Sequence, residues 1–167
     1  MDKDQKKTVQ PISSEQYLEQ ANQGFEHRAY FNALNSANQA IQQDPKNIDA
    51  YLFRAKVHVQ LGYLNEAIDD CGKAINLDGK NVGAYLQRGA YYSLLSDREK
   101  GKAEKLEGQV LKFQEQALLD CNQAAKLKPG DQRVLLDRAS ILHDLGRYQE
   151  AINDYDEVLK SKPSPIL

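Results

Sequence analysis

The sequence predicts an all-α solenoid of four stacked helix pairs, and the most direct support is an internal repeat. An Ala followed by Leu or Ile recurs at Ala33, Ala67, Ala117 and Ala151. The first two and the last two of these alanines are 34 residues apart, and the middle interval of 50 is the same period plus a 16-residue insertion. A fixed period of this length is typical of proteins in which one helix-turn-helix unit stacks on the next.

Helical periodicity within each unit is the second observation. The second unit contains two apolar stripes at the spacing of amphipathic helices, separated by Gly62. The first stripe comprises Tyr51, Leu52, Ala55, Val59 and Leu61, and the second comprises Ala67, Ile68, Cys71, Ala74 and Ile75. Pro45, Pro129 and Pro163 follow the second helix in three units, as expected after a helix C-terminus. Gly79 takes that place in the second unit.

These patterns predict one domain over residues 14–165, preceded by a flexible tail at 1–13 and followed by 166–167. The four units are 14–47, 48–81, 82–131 and 132–165, with the insertion within 96–116. In the insertion, Leu106, Val110 and Phe113 extend the apolar stripe of the second helix. We therefore expect both helices of the third unit to be lengthened by about two turns. The facing extension is mostly polar, so these three residues either fold back onto a neighbouring repeat or form a second interface or dimer contact.

The composition is that of a globular protein. Of 167 residues, 41% are apolar and 28% are charged, with a formal net charge of −2. This charge argues against binding nucleic acid or a membrane surface through general electrostatics, and no apolar run approaches the ~20 residues that span a bilayer. Residues 1–10 lack an apolar signal core, so a cytoplasmic location is expected if the chain begins there. No catalytic, metal-binding or cofactor-binding motif is found, and we expect no enzymatic activity, metal or cofactor.

Two charged residues recur in register. One repeat position holds Arg54, Arg88 and Arg138, and another holds Asp70, Asp120 and Asp154. In the first unit these positions hold Gln20 and Ser36, so both charges are absent together. We expect an ion pair between first and second helices, within a unit or between neighbours, that contributes about 1 kcal/mol or less if partly exposed. The alternative is that both charges are simply solvated.

The two cysteines occupy one repeat position, which predicts a packing role. Cys71 and Cys121 lie in successive units, where equivalent positions are expected ~10 Å apart, beyond the reach of a disulfide. No second pair of ligands accompanies them. We expect both to be buried thiols.

The last second helix lacks a polar cap. Its stripe of Ile152, Tyr155, Val158 and Leu159 would have one flank uncovered, although solenoids usually cap their terminal repeats. Three explanations stay open: the sequence belongs to a longer protein, the tail at 163–167 lies back across the stripe, or two chains meet there as a homodimer.

The units resemble tetratricopeptide repeats (TPRs) over about 90% of the chain. The matching residues are Tyr17, Ala21, Ala33, Ala40 and Pro45 in the first unit; Tyr51, Ala55, His58, Ala67, Cys71 and Ala74 in the second; Tyr85, Gly89, Tyr92, Ala117, Cys121, Ala124 and Pro129 in the third; and Leu135, Ala139, Leu142, Ala151, Tyr155, Val158 and Pro163 in the fourth. Gly24 departs from the pattern at an aromatic place. His58 occupies that place, so we expect a core residue. The resemblance implies a right-handed solenoid.

In this family the first helices line a concave groove that holds a peptide or helix of a partner protein. By register, the resemblance implies a groove formed by Leu18, Asn22, Phe25, Leu52, Phe53, Lys56, Val59, Leu86, Gln87, Ala90, Leu94, Arg133, Leu136, Asp137 and His143. Several of these residues, notably Phe53, Leu86 and Leu136, lie beside the packing stripe, so core burial is the alternative. A mostly apolar groove of this kind suits an amphipathic helix or a hydrophobic peptide.

One TPR subclass binds the C-terminal carboxylate of heat-shock chaperones with a Lys/Asn/Arg clamp. Counted from the first unit, the five clamp positions hold Leu18, Asn22, Phe53, Gly83 and Gln87. Counted from the second unit, they hold Leu52, Lys56, Gln87, Arg133 and Asp137. Neither set supplies the converging cations that a desolvated carboxylate needs, so we do not expect a clamp.

The function expected from these features is a non-catalytic adapter that binds a protein or peptide ligand. The alternative is a chaperone-like factor that shields an apolar segment of a client. A self-assembling structural repeat is the third class. An adapter binds a defined short peptide, whereas a chaperone binds unfolded clients and suppresses their aggregation.

Overall fold

The computed structural model describes residues 11–100 and 107–161, which form eight α-helices. The helices are α1 (Ser14–Glu26), α2 (Tyr30–Gln43), α3 (Ile48–Gln60), α4 (Leu64–Leu77), α5 (Val82–Lys100), α6 (Glu107–Leu127), α7 (Gln132–Asp144) and α8 (Tyr148–Lys160). No strand occurs within the two described ranges. Each helix packs on the next in sequence, which gives four stacked pairs. The predicted all-α repeat fold is confirmed.

Each first helix begins at a capping side chain in the same repeat position. These N-cap residues are Ser13, Asn47, Asn81 and Asp131, and each accepts a hydrogen bond from a backbone N–H three residues on, at 2.9–3.2 Å. Such caps satisfy N–H groups that the helix itself leaves unpaired and contribute about 1 kcal/mol each. Repetition of the cap fixes the start of α1, α3, α5 and α7 in one register.

The turn from first to second helix reverses through a residue with positive φ in three pairs. Gly62 and Gly146 adopt φ values of 82° and 72°, a region open to glycine because it lacks a Cβ. Arg28 occupies the equivalent turn of the first pair with φ 58°, which is strained for a residue with a side chain. The third pair departs from this turn because its helices continue past it.

Small side chains occupy the repeated positions of the core. The four alanines that define the period, Ala33, Ala67, Ala117 and Ala151, are at most 2% exposed. Cys71 and Cys121 are also buried, and burial raises the pKa of each thiol to about 12. The prediction of two buried thiols is confirmed.

The helix pairs are held by one recurring ion pair within each of the last three units. Arg54 donates two hydrogen bonds to Asp70 at 2.7 and 2.6 Å, and Arg88 binds Asp120 in the same bidentate way at 2.9 and 2.7 Å. Arg138 and Asp154 repeat the geometry in the fourth pair. The predicted pairing is confirmed. The three carboxylates are only 2–5% exposed, whereas the side chains of their arginine partners are 17–26% exposed, so each pair is part-buried.

Gly24, which departs from the repeat pattern, lies where two helices approach closely. A Cβ at this position would come within 3.1 Å of the backbone N of Ala33 on α2. The backbone of α2 therefore occupies the space that a side chain at Gly24 would need. In the later pairs this position holds larger side chains, such as His58 and Tyr92.

The third pair has the lengthened helices that the insertion predicts. Helix α5 has 19 residues and α6 has 21, against 13 or 14 in the other helices. Phe113 stacks on Tyr92 of α5, with ring centroids 6.3 Å apart and planes inclined by 23°. Phe113 therefore has a partner on the facing helix, because Tyr92 lies one turn before the polar extension. Val110 is half-buried, and Leu106 lies outside the described residues.

Helix α8 exposes an apolar stripe. Ile152, Tyr155 and Leu159 are exposed, whereas Val158 is buried. At the equivalent place in internal second helices, the next first helix covers the stripe. A homodimer through α8 or through the third pair stays a prediction. Among the described helices, none combines the length and apolar character that a membrane span requires.

Candidate functional site

The first helices form one continuous face of the solenoid. Helix α1 contacts α3, α3 contacts α5, and α5 contacts α7, in addition to the contacts between sequence neighbours. The described second helices make no comparable contacts with one another. Because the first helices lie closer together, their face is the concave one. We call this face the groove.

The residues predicted for the groove separate into three classes of exposure. Leu86 is 6% exposed and belongs to the core cluster, in line with the packing alternative. The half-buried residues are Leu18, Phe25, Leu52, Phe53, Val59, Gln87 and Asp137. The exposed residues are Asn22, Lys56, Ala90, Leu94, Arg133, Leu136 and His143. Leu52 and Val59 also pack against the core cluster beneath α3, which leaves them little free surface.

An aromatic cluster with one cation joins α1 to α3. The rings of Phe25 and Phe53 meet edge to face, with centroids 5.9 Å apart. The Lys56 Nζ lies 4.3 Å from the Phe25 centroid and 5.9 Å from the Phe53 centroid, close enough for a cation–π interaction. Three predicted groove residues are therefore brought together here, and they form an apolar surface with one positive charge.

A cavity of about 310 Å³ lies between α5 and α7. Its lining residues are Leu86, Ala90, Ser93, Leu94, Asp97, Asp137, Ser140 and Ile141. Four of them were predicted from the sequence, and Leu86 contributes to the floor of the cavity from its core position. Of the eight lining residues two are charged, and both are acidic. The volume is at the low end of the range found for ligand pockets, which suits one or two side chains of a peptide.

Asp137 is a poorly compensated acid in this cavity. Burial raises the pKa of its carboxyl group above the ordinary value, and the positive charge of Arg133 opposes that shift only in part. The Arg133 Nε lies 4.0 Å from Asp137 Oδ2, and the arginine side chain is largely exposed. Asp97 is paired with Lys100 at 2.8 Å, although both side chains are exposed to solvent. Exposed pairs of this kind contribute little, so a ligand can replace them.

The sequence missed four lining residues of the cavity. Ser93 and Asp97 extend the helical spacing of Ala90 along α5, so the periodicity could have found them. Ser140 and Ile141 face the cavity from α7. These two residues line the cavity only because α5 and α7 lie close together. The spacing of the repeats in the sequence does not predict that distance.

Aromatic pairs five residues apart mark the turns between helices. Phe25 contacts Tyr30 with centroids 5.4 Å apart, and His143 contacts Tyr148 at 5.3 Å. His58 and Tyr63 repeat the arrangement at 6.0 Å. The i, i+5 spacing of these pairs is visible in the sequence. It places Phe25 and His143 at the turn edge of the groove rather than at its centre.

The described residues contain no group of three or more His, Cys, Asp or Glu side chains that could hold a metal ion. What the groove offers a ligand is apolar packing surface and fixed charge.

His58 is expected to make the stability of the protein dependent on pH. Its side chain is mostly buried, its Nδ1 atom has no hydrogen-bond partner within the described residues, and desolvation lowers its pKa below the ordinary 6.5. Below about pH 6.5 the unfolded chain therefore binds a proton that the folded chain resists. We expect the free energy of unfolding to be unaffected by His58 above that pH and to decrease as the pH falls below it.

Urea titrations at pH 7.5 and 5.5 measure this effect. The His58→Phe variant keeps an aromatic ring and is expected to lose less stability between the two pH values than the parent. His27→Gln is the control, because the His27 side chain is exposed. An equal pH dependence in the His58→Phe variant and the parent would contradict the assignment.

Comparison with known proteins supports the repeat. The tetratricopeptide-repeat family model matches residues 48–81 and 132–165, which are the second and fourth helix pairs. No curated protein sequence matches the chain significantly.

Several solved structures share the fold. TTC0263, a thermophilic TPR protein of Thermus thermophilus, is 21% identical with a TM-score of 0.72, over 88% of this chain and 73% of that one. The TPR domain of Arabidopsis OM64 is 25% identical with a TM-score of 0.62, over 78% of this chain and 95% of that one. The second TPR domain of human RPAP3, solved with the HSP70 peptide SGPTIEEVD, is 22% identical with a TM-score of 0.60, over 75% and 91%.

The family model and the structure both identify the helix pair as the repeating unit. Two helix pairs match the model directly, and the other two stack on them with the same capped first helices and the same buried alanines. The second and fourth helix pairs are therefore tetratricopeptide repeats, and the whole chain has the fold of solved tetratricopeptide-repeat proteins.

Proposed function

We propose that the chain is a non-catalytic adapter that binds a peptide or helix of a partner protein in the groove. The observation that carries this proposal is the cavity between α5 and α7, where exposed Ala90 and Leu94 border an apolar floor. Leu94 leaves 45% of its surface in water, which a ligand side chain could cover. Burial of such a leucine is favourable by about 2 kcal/mol.

Fixed charges at the two ends of the groove favour an adapter over a chaperone that covers apolar segments of many clients. Lys56 lies at the α1–α3 end, and Asp97 and Asp137 lie at the α5–α7 end, so the groove discriminates the orientation of a bound peptide. A client-shielding chaperone needs apolar surface without such discrimination.

The cytoplasmic location expected from the sequence belongs to this proposal as well.

The groove is not proposed to bind the C-terminal carboxylate of a heat-shock chaperone. The HSP70 peptide bound by the human RPAP3 domain ends in Glu-Glu-Val-Asp. In this chain Lys56 lies over the Phe25 and Phe53 rings, and Arg133 is held near Asp137. Lys56 and Arg133 therefore lie apart and already interact with neighbouring side chains, so they do not converge on one carboxylate.

The adapter proposal predicts that polar replacement of Ala90 and Leu94 weakens peptide binding. In the double variant Ala90→Gln, Leu94→Gln, the apolar border is lost without a change in charge. We expect peptides selected from a random dodecapeptide display library against the parent to bind this variant at least about tenfold more weakly, because about 1.4 kcal/mol of apolar contact corresponds to that factor. Fluorescence anisotropy measures the affinity, and circular dichroism checks the helical content.

The matched control is Leu111→Gln with Leu119→Gln on α6. These leucines are 49% and 59% exposed and lie outside the groove cavity, so the control removes similar apolar surface elsewhere. It is expected to bind the selected peptides like the parent. Equal binding by the groove variant and the parent, or a library that yields no peptide, would overturn the proposed function.

A further inference from the structure

We propose that the ligand segment in the α5–α7 cavity combines an apolar anchor side chain with a neighbouring Lys or Arg. The anchor contacts the apolar floor, and the cation pairs with Asp137 and Asp97. This inference rests on the proposed function, since it names the ligand chemistry of the same groove. It distinguishes a basic, apolar peptide from an acidic one.

The floor of the cavity selects the anchor. Leu86 and Ile141 are buried beneath it, and Ala90 and Leu94 border it from α5. The cavity volume of about 310 Å³ accommodates a side chain the size of Leu, Ile or Met, with room for part of its neighbour. An anchor of this kind displaces water from apolar surface that the isolated chain leaves uncovered.

The charged part of the lining selects the cation. Both charged residues of the lining are carboxylates, and two serine hydroxyls complete its polar part. Asp137 is partly desolvated, as the raised pKa of its carboxyl group indicates, and Arg133 approaches it only to 4.0 Å. A ligand cation at hydrogen-bonding distance would compensate this carboxylate better than Arg133 does. Asp97 is paired with Lys100 at an exposed site, and a ligand cation can take the place of Lys100 in this pair.

An acidic peptide in the same place would be rejected. Its carboxylates would lie beside those of Asp97 and Asp137, and repulsion between these like charges disfavours binding. The nearby cations, Lys100 and Arg133, already have acidic partners. Charge complementarity therefore favours one ligand class over the other.

Selection from a random dodecapeptide display library tests the inference. The parent chain is expected to enrich peptides with Lys or Arg within four residues of Leu, Ile or Met. The variant Asp97→Asn, Asp137→Asn is expected to retain the apolar preference and lose the basic one. A selected peptide should bind this variant at least tenfold more weakly than it binds the parent.

Two further measurements separate direct pairing from a general charge effect. The variant Asp69→Asn, Asp156→Asn removes the same charge from exposed sites outside the cavity and should bind within about twofold of the parent. Replacing the basic residue of the peptide by Gln should weaken binding to the parent tenfold and cause little further loss in the cavity variant, as a double-mutant cycle requires for direct contact.

The peptide-side change keeps the test valid even if the Asn variant folds poorly. Enriched peptides that are acidic, or that show no charge preference, would overturn this inference and leave the proposed function standing. An unchanged affinity for the Gln-substituted peptide would do the same. A library that yields no groove-dependent peptide would overturn the proposed function and this inference together.

Discussion

Replacement of Arg88 by Met is expected to lower the free energy of unfolding by about 3 kcal/mol. Arg88 donates two hydrogen bonds, at 2.9 and 2.7 Å, to a carboxylate of Asp120 that is 5% exposed. The methionine side chain retains most of the packing but leaves this carboxylate buried without its cation. Removing one partner of a buried pair typically costs about 3–5 kcal/mol, and the partial exposure of Arg88 places the effect at the lower end. Urea denaturation followed by circular dichroism measures the loss.

Two variants define the cause of this loss. Arg147→Met breaks a similar bidentate pair with Glu150, but both side chains are exposed, so no measurable change is expected. Arg88→Met combined with Asp120→Leu removes both charges and should recover much of the stability. If Arg88→Met were as mild as Arg147→Met, the ion pair between the two helices of the third unit would not hold them together.

Much of the fold could be predicted because equivalent positions of four repeats can be compared within one chain. The recurrence of Arg and Asp at two repeat positions predicted three ion pairs, and their joint absence in the first unit strengthened the inference. The equivalence of Cys71 and Cys121 predicted their burial in the same way. Such features depend on contacts between neighbouring helices at fixed register, which a repeat preserves.

Features that depend on the approach of non-neighbouring helices could not be predicted in this way. The α5–α7 cavity exists because two first helices separated by α6 line the same face, and Ser140 and Ile141 enter it only through that geometry. The same uncertainty explains Leu86, which the register assigned to the groove surface but which packs into the core. The repeat register identifies the side of the helix on which a residue lies. The distance between that helix and the next first helix determines whether the residue is at the surface or in the core.

The packing between the second and third pairs depends on a residue that the repeat pattern does not single out. Tyr91 of α5 packs with Ala55 of α3 and with Ala67 and Cys71 of α4. Only 9% of its surface is exposed, and its hydroxyl group donates to Gln87 Oε1 at 3.4 Å. In a solenoid, stability is approximately the sum of repeat and interface contributions. Tyr91 therefore couples one half of the molecule to the other.

Tyr91→Ala is expected to lower the free energy of unfolding by about 3–4 kcal/mol, because large-to-small changes of a buried aromatic residue leave a cavity and lose apolar contact. It is also expected to lower the steepness of the urea transition, since loss of one interface lets the two halves unfold separately. Tyr155→Ala, at an exposed position on α8, is the control and should change neither quantity appreciably. A loss of stability with an unchanged slope would mean that Tyr91 stabilises its own pair alone and that another contact couples the halves.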